Sequence, residues 1–196
     1  MYEKFFKRLM DIIFCICALP FSCFICIPIT LCILVFDGKP IFYLSDRIGK
    51  KGEIFKMYKF RSMFNNAPDI RQEDGSTYNA KDDPRVTKIG KILRKTSLDE
   101  VPQLLNVLLG DMSIIGPRPF VPLNGKNNTS KDFEDRLKVK PGITGYTQAY
   151  FRNSISQDEK IRMDAEYARN VTFLGDIKIL LKTIETVLQR KNIYNN

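Results

Sequence analysis

IIFCICALPFSCFICIPITLCILVF, residues 12–36, contains no charged side chain. At about 1.5 Å per helical residue, a stretch of this length matches a hydrocarbon layer of roughly 30 Å. A cleaved export signal fits poorly, because its apolar core runs ~7–15 residues and ends in a small-x-small site. A simple spanning helix meets two objections. Pro20 and Pro28 interrupt the run, and each removes a backbone donor and crowds the preceding turn. Ser22 stands near the first proline and offers a hydroxyl to a carbonyl freed in this way. Both flanks are also basic: Lys4, Lys7 and Arg8 precede the run, and Lys39, Arg47, Lys50, Lys51, Lys56, Lys59 and Arg61 follow it. Positive flanks stay on the cytoplasmic side. Two such flanks call for a dip that enters and leaves through one face. On these residues alone, a spanning helix and a re-entrant dip both stay open.

The 196 residues suffice for one domain with a sizeable core. A net charge of +9 points to anionic partners, whether nucleic acid, acidic lipid or phosphorylated substrates. There is no histidine and no tryptophan. That excludes most zinc sites, the usual general base and every Ser-His or Cys-His nucleophile pair. Catalysis is left to carboxylates, Lys, Arg, Tyr or a hard cation. The cysteines, Cys15, Cys17, Cys23, Cys26 and Cys32, all sit in the apolar segment. They read as small apolar fillers in a reducing compartment rather than a disulfide framework.

Downstream, Asp37-Gly38-Lys39-Pro40 makes a turn. IFYL (41–44) and EIFKMYKF (53–60), with Gly49 and Gly52 between them, predict a short β-hairpin. Residues 65–84 are polar and turn-rich, a long loop. VTKIGKILRK (86–95) is an amphipathic helix suited either to an acidic membrane surface or to solvent. VPQLLNVLLG (101–110) predicts a helix started by Pro102 and stopped by Gly110. Helices are also predicted over 154–170 and 173–191, the latter with an apolar face that suits a core or a membrane surface.

Between two of these helices stands SLDEVPQ (97–103), with Asp99 and Glu100 side by side. Ser97 and Glu100 have the spacing of a capping box. A helix starting at Pro102 instead leaves the two acids at its positive mouth. Arg94 and Lys95 lie just upstream, and Gly116-Pro117-Arg118-Pro119 lies beyond. Prolines on both sides restrict the backbone and fix where the Arg118 guanidinium points, and a rigid fork suits phosphate oxygens. Pro141-Gly142-Ile143-Thr144-Gly145-Tyr146-Thr147-Gln148 follows, with Arg152 soon after; its glycines permit close backbone approach to a ligand. Carboxylates, arginines and a bound cation together serve phosphoryl transfer.

The run LRKTSLDEVPQLLNVLLGDMSIIGPRP (93–119), with RIGKKGEIFK (47–56), KMYKFRSM (56–63) and VKPGITGYTQAYFRN (139–153), resembles the bacterial sugar transferase family, the monotopic phosphoglycosyl transferases. The likeness covers nearly the whole chain, in the minimal form without a further multispanning domain. It implies an α+β protein: a re-entrant membrane helical hairpin over residues 1–36, then a compact, mostly helical catalytic domain over 37–196 with a small β-hairpin and interfacial amphipathic helices. It implies a transferase at the cytoplasmic face of the bacterial inner membrane. Such an enzyme moves a sugar-1-phosphate from a UDP-sugar to undecaprenyl phosphate and releases UMP, as the first membrane step of a surface glycan. By likeness Asp99 is the nucleophile that forms a phosphosugar–aspartyl intermediate. Glu100 helps hold Mg²⁺ with Asp99 or handles a proton, and Arg94 and Arg118 clamp phosphate oxygens. Lys59, Arg61, Gln148 and Arg152 are further candidates for substrate contact. The family's dip is broken at a Ser-Pro step; here Ser22 precedes Cys23, and Pro20 is expected to take over that role. Membrane lipid is an expected partner and nucleic acid is not. The competing expectation is a membrane-anchored basic adaptor for acidic lipid or nucleic acid, which accounts for the charge and the apolar run but not for the acid pair.

Overall fold

The computed structural model describes residues 2–70, 78, 80, 82–122, 130–152 and 154–189. The middle of the long 65–84 loop and the last residues of the chain lie outside them.

The apolar run forms one helical element, α1 (Lys7–Cys32), extended by a wider-pitched turn over Ile33–Asp37. Pro20 and Pro28 both lie inside α1, and neither ends it. Ser22 Oγ donates to the Ala18 carbonyl at 2.8 Å. The carbonyl that Pro20 frees belongs to Ile16, four residues before the proline, so the serine back-bonds a neighbouring turn, a contact that bends helices. The helix buries one stripe: Lys7, Asp11, Cys15, Ile29 and Ile33 face the body of the protein. Between these two seats, Phe21 and Phe24 are 73% and 82% exposed. By length and composition α1 with its extension is apolar enough to enter a membrane.

The expected hairpin is present and longer than predicted. β1 (Phe42–Ile48) pairs antiparallel with β2 (Ile54–Phe60), Tyr43 opposite Lys59 and Arg47 opposite Phe55. The strand continues through Ser45-Asp46-Arg47 because cross-strand pairing carries it, whatever the local propensity. α2 (Lys88–Thr96) starts on a Thr87 cap whose hydroxyl accepts from the Gly90 amide. It ends where Ser97 turns left-handed at φ 59°. α3 (Gln103–Leu109) starts after Pro102 and stops at Gly110, whose φ of 100° suits glycine.

One pairing has no counterpart in the expectations. β3 (Ser113–Ile115) runs parallel to β4 (Gly142–Thr144), joining the arginine turn to the glycine motif. α4 (Lys131–Arg136), α5 (Tyr146–Tyr150), α6 (Gln157–Arg169) and α7 (Phe173–Gln189) complete the body. α6 opens on a capping box between Ser156 and Glu159.

The main core gathers Cys15 of α1, Met57 of β2, Val107 of α3, Met112, Ile114 and Ile115 around β3, and Ile179 of α7. A smaller cluster packs Ile29 and Ile33 of α1 on Phe60 and Leu93. The architecture is therefore α+β and mostly helical, with an apolar N-terminal helix seated on the body near both of its ends.

Candidate active site

Local chain geometry decides what the adjacent acids do. Ser97 makes no side-chain cap; its left-handed backbone closes α2. Leu98–Glu100 form a single 3₁₀ turn, and Pro102 then leads into α3. The chain thus reverses between two helices, and the acids sit on the bend. Asp99 is buried, with 8% of its surface exposed.

Glu100 is gripped by cations. Lys59 Nζ lies 2.6 Å from its Oε1, and Arg118 Nη2 lies 3.6 Å from the same oxygen. Burial alone works to raise its carboxyl, but the nearby Lys59 and Arg118 charges and the Lys59 hydrogen bond prevail, holding it down at about 2. Asp99 moves the other way. Burial raises its carboxyl; Lys59 counters this and the Glu100 charge reinforces it. Two neighbouring carboxylates are thereby driven apart: Glu100 is a fixed anion, and Asp99 is a desolvated, more basic one. A carboxyl held so low is poorly matched to proton transfer at neutral pH, which favours the charge-binding role for Glu100 over the proton-handling one.

The arginine turn is fixed from several sides. Asp11 on α1 accepts from the Ile114 amide at 2.9 Å and the Ser113 hydroxyl at 3.0 Å. The Gly116 amide donates to the Thr144 carbonyl at 2.8 Å, and the Gly142 amide donates to the Pro117 carbonyl at 2.9 Å. A Cβ on Gly142 would lie 2.1 Å from the Gly116 nitrogen, and one on Gly145 would lie 2.0 Å from the Gly116 carbonyl oxygen. These glycines do permit a close backbone approach, but the approaching backbone is the protein's own arginine turn. Arg136, itself buried, donates to the Arg118 carbonyl at 2.8 Å. The Arg118 side chain, 54% exposed, is left to project over Glu100.

The expected site residues separate into two groups. Lys59, Asp99, Glu100, Arg94, Arg118, Gln148 and Arg152 line one broad cleft of about 1780 Å³. Within it Arg94 donates to the Ser62 hydroxyl at 3.0 Å. Gln148 Nε2 donates to the Ile143 carbonyl at 3.0 Å, and its buried Oε1 has no partner among the described residues. Arg61 also borders the cleft, but its guanidinium donates to the carbonyls of Asp37, Gly38 and Lys39. It clasps the turn that brings the chain out of the apolar segment, and the residue is buried. Its place is that of an anchor for the turn rather than a hand for a ligand.

Other residues of the site were not anticipated. Arg47 and Gln103 line the small cavity beside Glu100. Arg47 shares a sheet face with Lys59, since residues at i and i+2 on facing strands point the same way; the register supplies that signal. Asn106, fully buried, accepts from the Tyr58 amide and donates to the Lys56 carbonyl, locking α3 to the strand that carries Lys59.

Among the described residues no group of three or more His, Cys, Asp or Glu side chains is placed to hold a metal. The Asp99–Glu100 pair nonetheless fits a hard cation of the magnesium type, which takes one or two carboxylates and fills its remaining positions with water and substrate phosphate.

The chain matches the bacterial sugar transferase family over residues 2–190 and belongs to it. It is 38% identical to the undecaprenyl-phosphate galactose phosphotransferase of Salmonella typhimurium, over 98% of this chain and 42% of that protein. It is 44% identical to the galactosyl transferase CpsE of Streptococcus agalactiae, over 78% of this chain and 35% of that one. It is 41% identical to the exopolysaccharide production protein ExoY of Sinorhizobium fredii, over 81% of this chain and 74% of that protein. The chain thus spans less than half the length of the first two relatives.

Proposed function

We propose that the chain is a phosphoglycosyl transferase that moves a sugar-1-phosphate from a UDP-sugar to undecaprenyl phosphate, at the cytoplasmic face of the bacterial inner membrane, in the first membrane step of a surface glycan. The observation that carries this is the geometry of the acid pair: a buried Asp99 beside a Glu100 that Lys59 and Arg118 both approach. Membership of the family and the printed names of its relatives support the substrate classes.

In the first half-reaction an Asp99 carboxylate oxygen attacks the sugar-bearing phosphorus. The bond from that phosphorus to the bridging oxygen breaks, and UMP leaves with the oxygen. In the second, an oxygen of the lipid phosphate attacks the same phosphorus and Asp99 is released. Splitting one displacement into two means the anionic substrates never meet directly. Lys59, Arg94, Arg118 and Arg152 spread the phosphate charge. Mg²⁺, held by Asp99 and Glu100 with substrate phosphate, would supply further charge neutralisation. A membrane-anchored adaptor gives the buried acids no task.

The topology follows the same lines. Lys7, Arg8 and Asp11 at one end of α1, and Ile29 and Ile33 near the other, touch one body. A helix crossing a hydrocarbon core of ~30 Å would carry its far end away from that body. This supports an anchor that enters and leaves one leaflet.

Brief incubation with UDP-sugar alone, followed by mass spectrometric mapping, tests the reaction. An adduct of sugar phosphate on Asp99, lost in Asp99→Asn, is the expected outcome; label on another side chain overturns it.

A further inference from the structure

The cleft has two chemically different parts. Around Glu100 it is lined by cations. Towards α1 its lining changes to Leu104 of α3, Ile114 of β3, Ile143 of β4, Leu180 of α7 and Phe14 of α1. Leu104, Ile143 and Leu180 are only partly buried and pack against the main core. Phe14 is 43% exposed and lies inside the uncharged run.

The two parts join at Ile143, which lines the small cavity together with Glu100, Arg118 and Gln148. Both also border the start of α3, with Glu100 on the turn before it and Leu104 in its first turn. At the far end Cys15 Sγ lies 3.9 Å from the Leu104 carbonyl oxygen, and the adjacent Phe14 lines the cleft. A hydroxyl contact of 2.7 Å between Thr144 and Thr183 holds β4 against α7 beneath it.

We propose that this groove binds the isoprenoid chain of the acceptor, its first units lying against Leu104, Ile143 and Leu180 while the phosphate reaches Arg118. The inference rests on the phosphoglycosyl transferase reading and adds the acceptor's path to it. Two features point to a lipid phosphate rather than a second protein. The groove opens at one end onto the helix whose exposed side chains are apolar over two turns and more. At the other it ends on Lys59 and the half-exposed Arg118, both beside Glu100. An amphiphile with an anionic head and a branched hydrocarbon tail matches both ends in one orientation. The donor, polar throughout, matches only the cationic part.

The test uses the full chain in lipid nanodiscs with a polyprenyl phosphate that carries a diazirine in the isoprene unit nearest the phosphate. Light should place label on peptides holding Leu104, Ile143 or Leu180, and excess unmodified polyprenyl phosphate should remove it. Label confined to other segments, or untouched by the competitor, overturns the groove. This readout needs no turnover, so it stands apart from a failure of the proposed reaction, which an absence of UMP release from every UDP-sugar would signal. Kinetics give a second reading. Leu180→Trp, which fills the groove, should raise the KM for the lipid phosphate about tenfold and leave the KM for the donor in place. Phe14→Ala, at an exposed position, should raise the same KM about threefold without a folding penalty. An unchanged lipid KM in both variants, or equal rises for both substrates, overturns the assignment.

Discussion

Arg136 and Asp164 form one charge cluster, fully buried; Lys59, Asp99, Glu100 and Arg118 form another, partly open. In the first a single ion pair is matched: Arg136 lies 2.9 Å from Asp164, which also accepts from Thr147, and the same Arg136 Nη2 donates to the Arg118 carbonyl. A single cation meets a single anion and both are sealed from solvent. In the second, Lys59 and Arg118 both converge on Glu100, Arg118 is half exposed, and among the described residues no ion pair reaches Asp99. The first cluster is matched one to one within the fold; the second crowds two cations on one carboxylate and leaves the other acid unbalanced. The two clusters touch through the Arg118 backbone, so the balanced one holds the unbalanced one in position.

The largest effect should come from Asp99→Asn, with a loss of at least about a thousandfold in UMP release if the nucleophile is removed. The same change should leave thermal stability unaltered or raised. The sign follows from the raised carboxyl: above it the folded state carries a desolvated anion, a penalty absent below the ordinary carboxylate range, and Asn removes it. A marked fall in Tm for this variant would mean that Asp99 is as well matched as Asp164.

Arg136→Met should do the reverse, costing about 3 kcal/mol in denaturant unfolding because Asp164 is left buried and unpaired. A smaller effect, about tenfold in kcat/KM, is expected for Arg118→Lys, which keeps the charge and loses the planar fork. If Lys serves equally well, Arg118 acts as a point charge only.

The smallest effect is a shift in pH dependence. Asp99 must be ionised to attack, so activity should rise with pH through a limb above the ordinary carboxylate range. Glu100→Gln removes a charge that raises Asp99 and frees Lys59, so the limb of the residual activity should move towards acid. For stability, Glu100 acts oppositely: its depressed carboxyl contributes above the ordinary glutamate range, and that contribution fades as pH falls towards about 2.

Much of the helical frame was legible. Pro102 and Gly110 mark helix ends by rules local to a few residues, and the structure keeps them. The acid pair was legible because two carboxylates between basic residues and a proline are conspicuous in one dimension. What stayed hidden depends on distant pairing. β3 and β4 are too short to carry a period, and their glycines looked like ligand contacts until the partner backbone was known. The prolines set Arg118 apart in sequence, but only the fold shows that Arg61 is turned onto three backbone carbonyls. Lys7, Arg8 and Asp11 read as a charged flank, yet Lys7 pairs with Asp176, Arg8 donates to the carbonyls ending α3, and Asp11 receives β3.

That last arrangement changes what the anchor is mechanically. A tether fastened at a single point lets its load swing and bob. A beam bolted near both ends, by polar contacts at Lys7–Asp11 and by greasy ones at Ile29–Ile33, transmits height and tilt. On the proposed reading, the bend that carries Asp99 would ride at a set elevation above the surface the exposed phenylalanines enter, and its search for a lipid partner would be a glide in two dimensions.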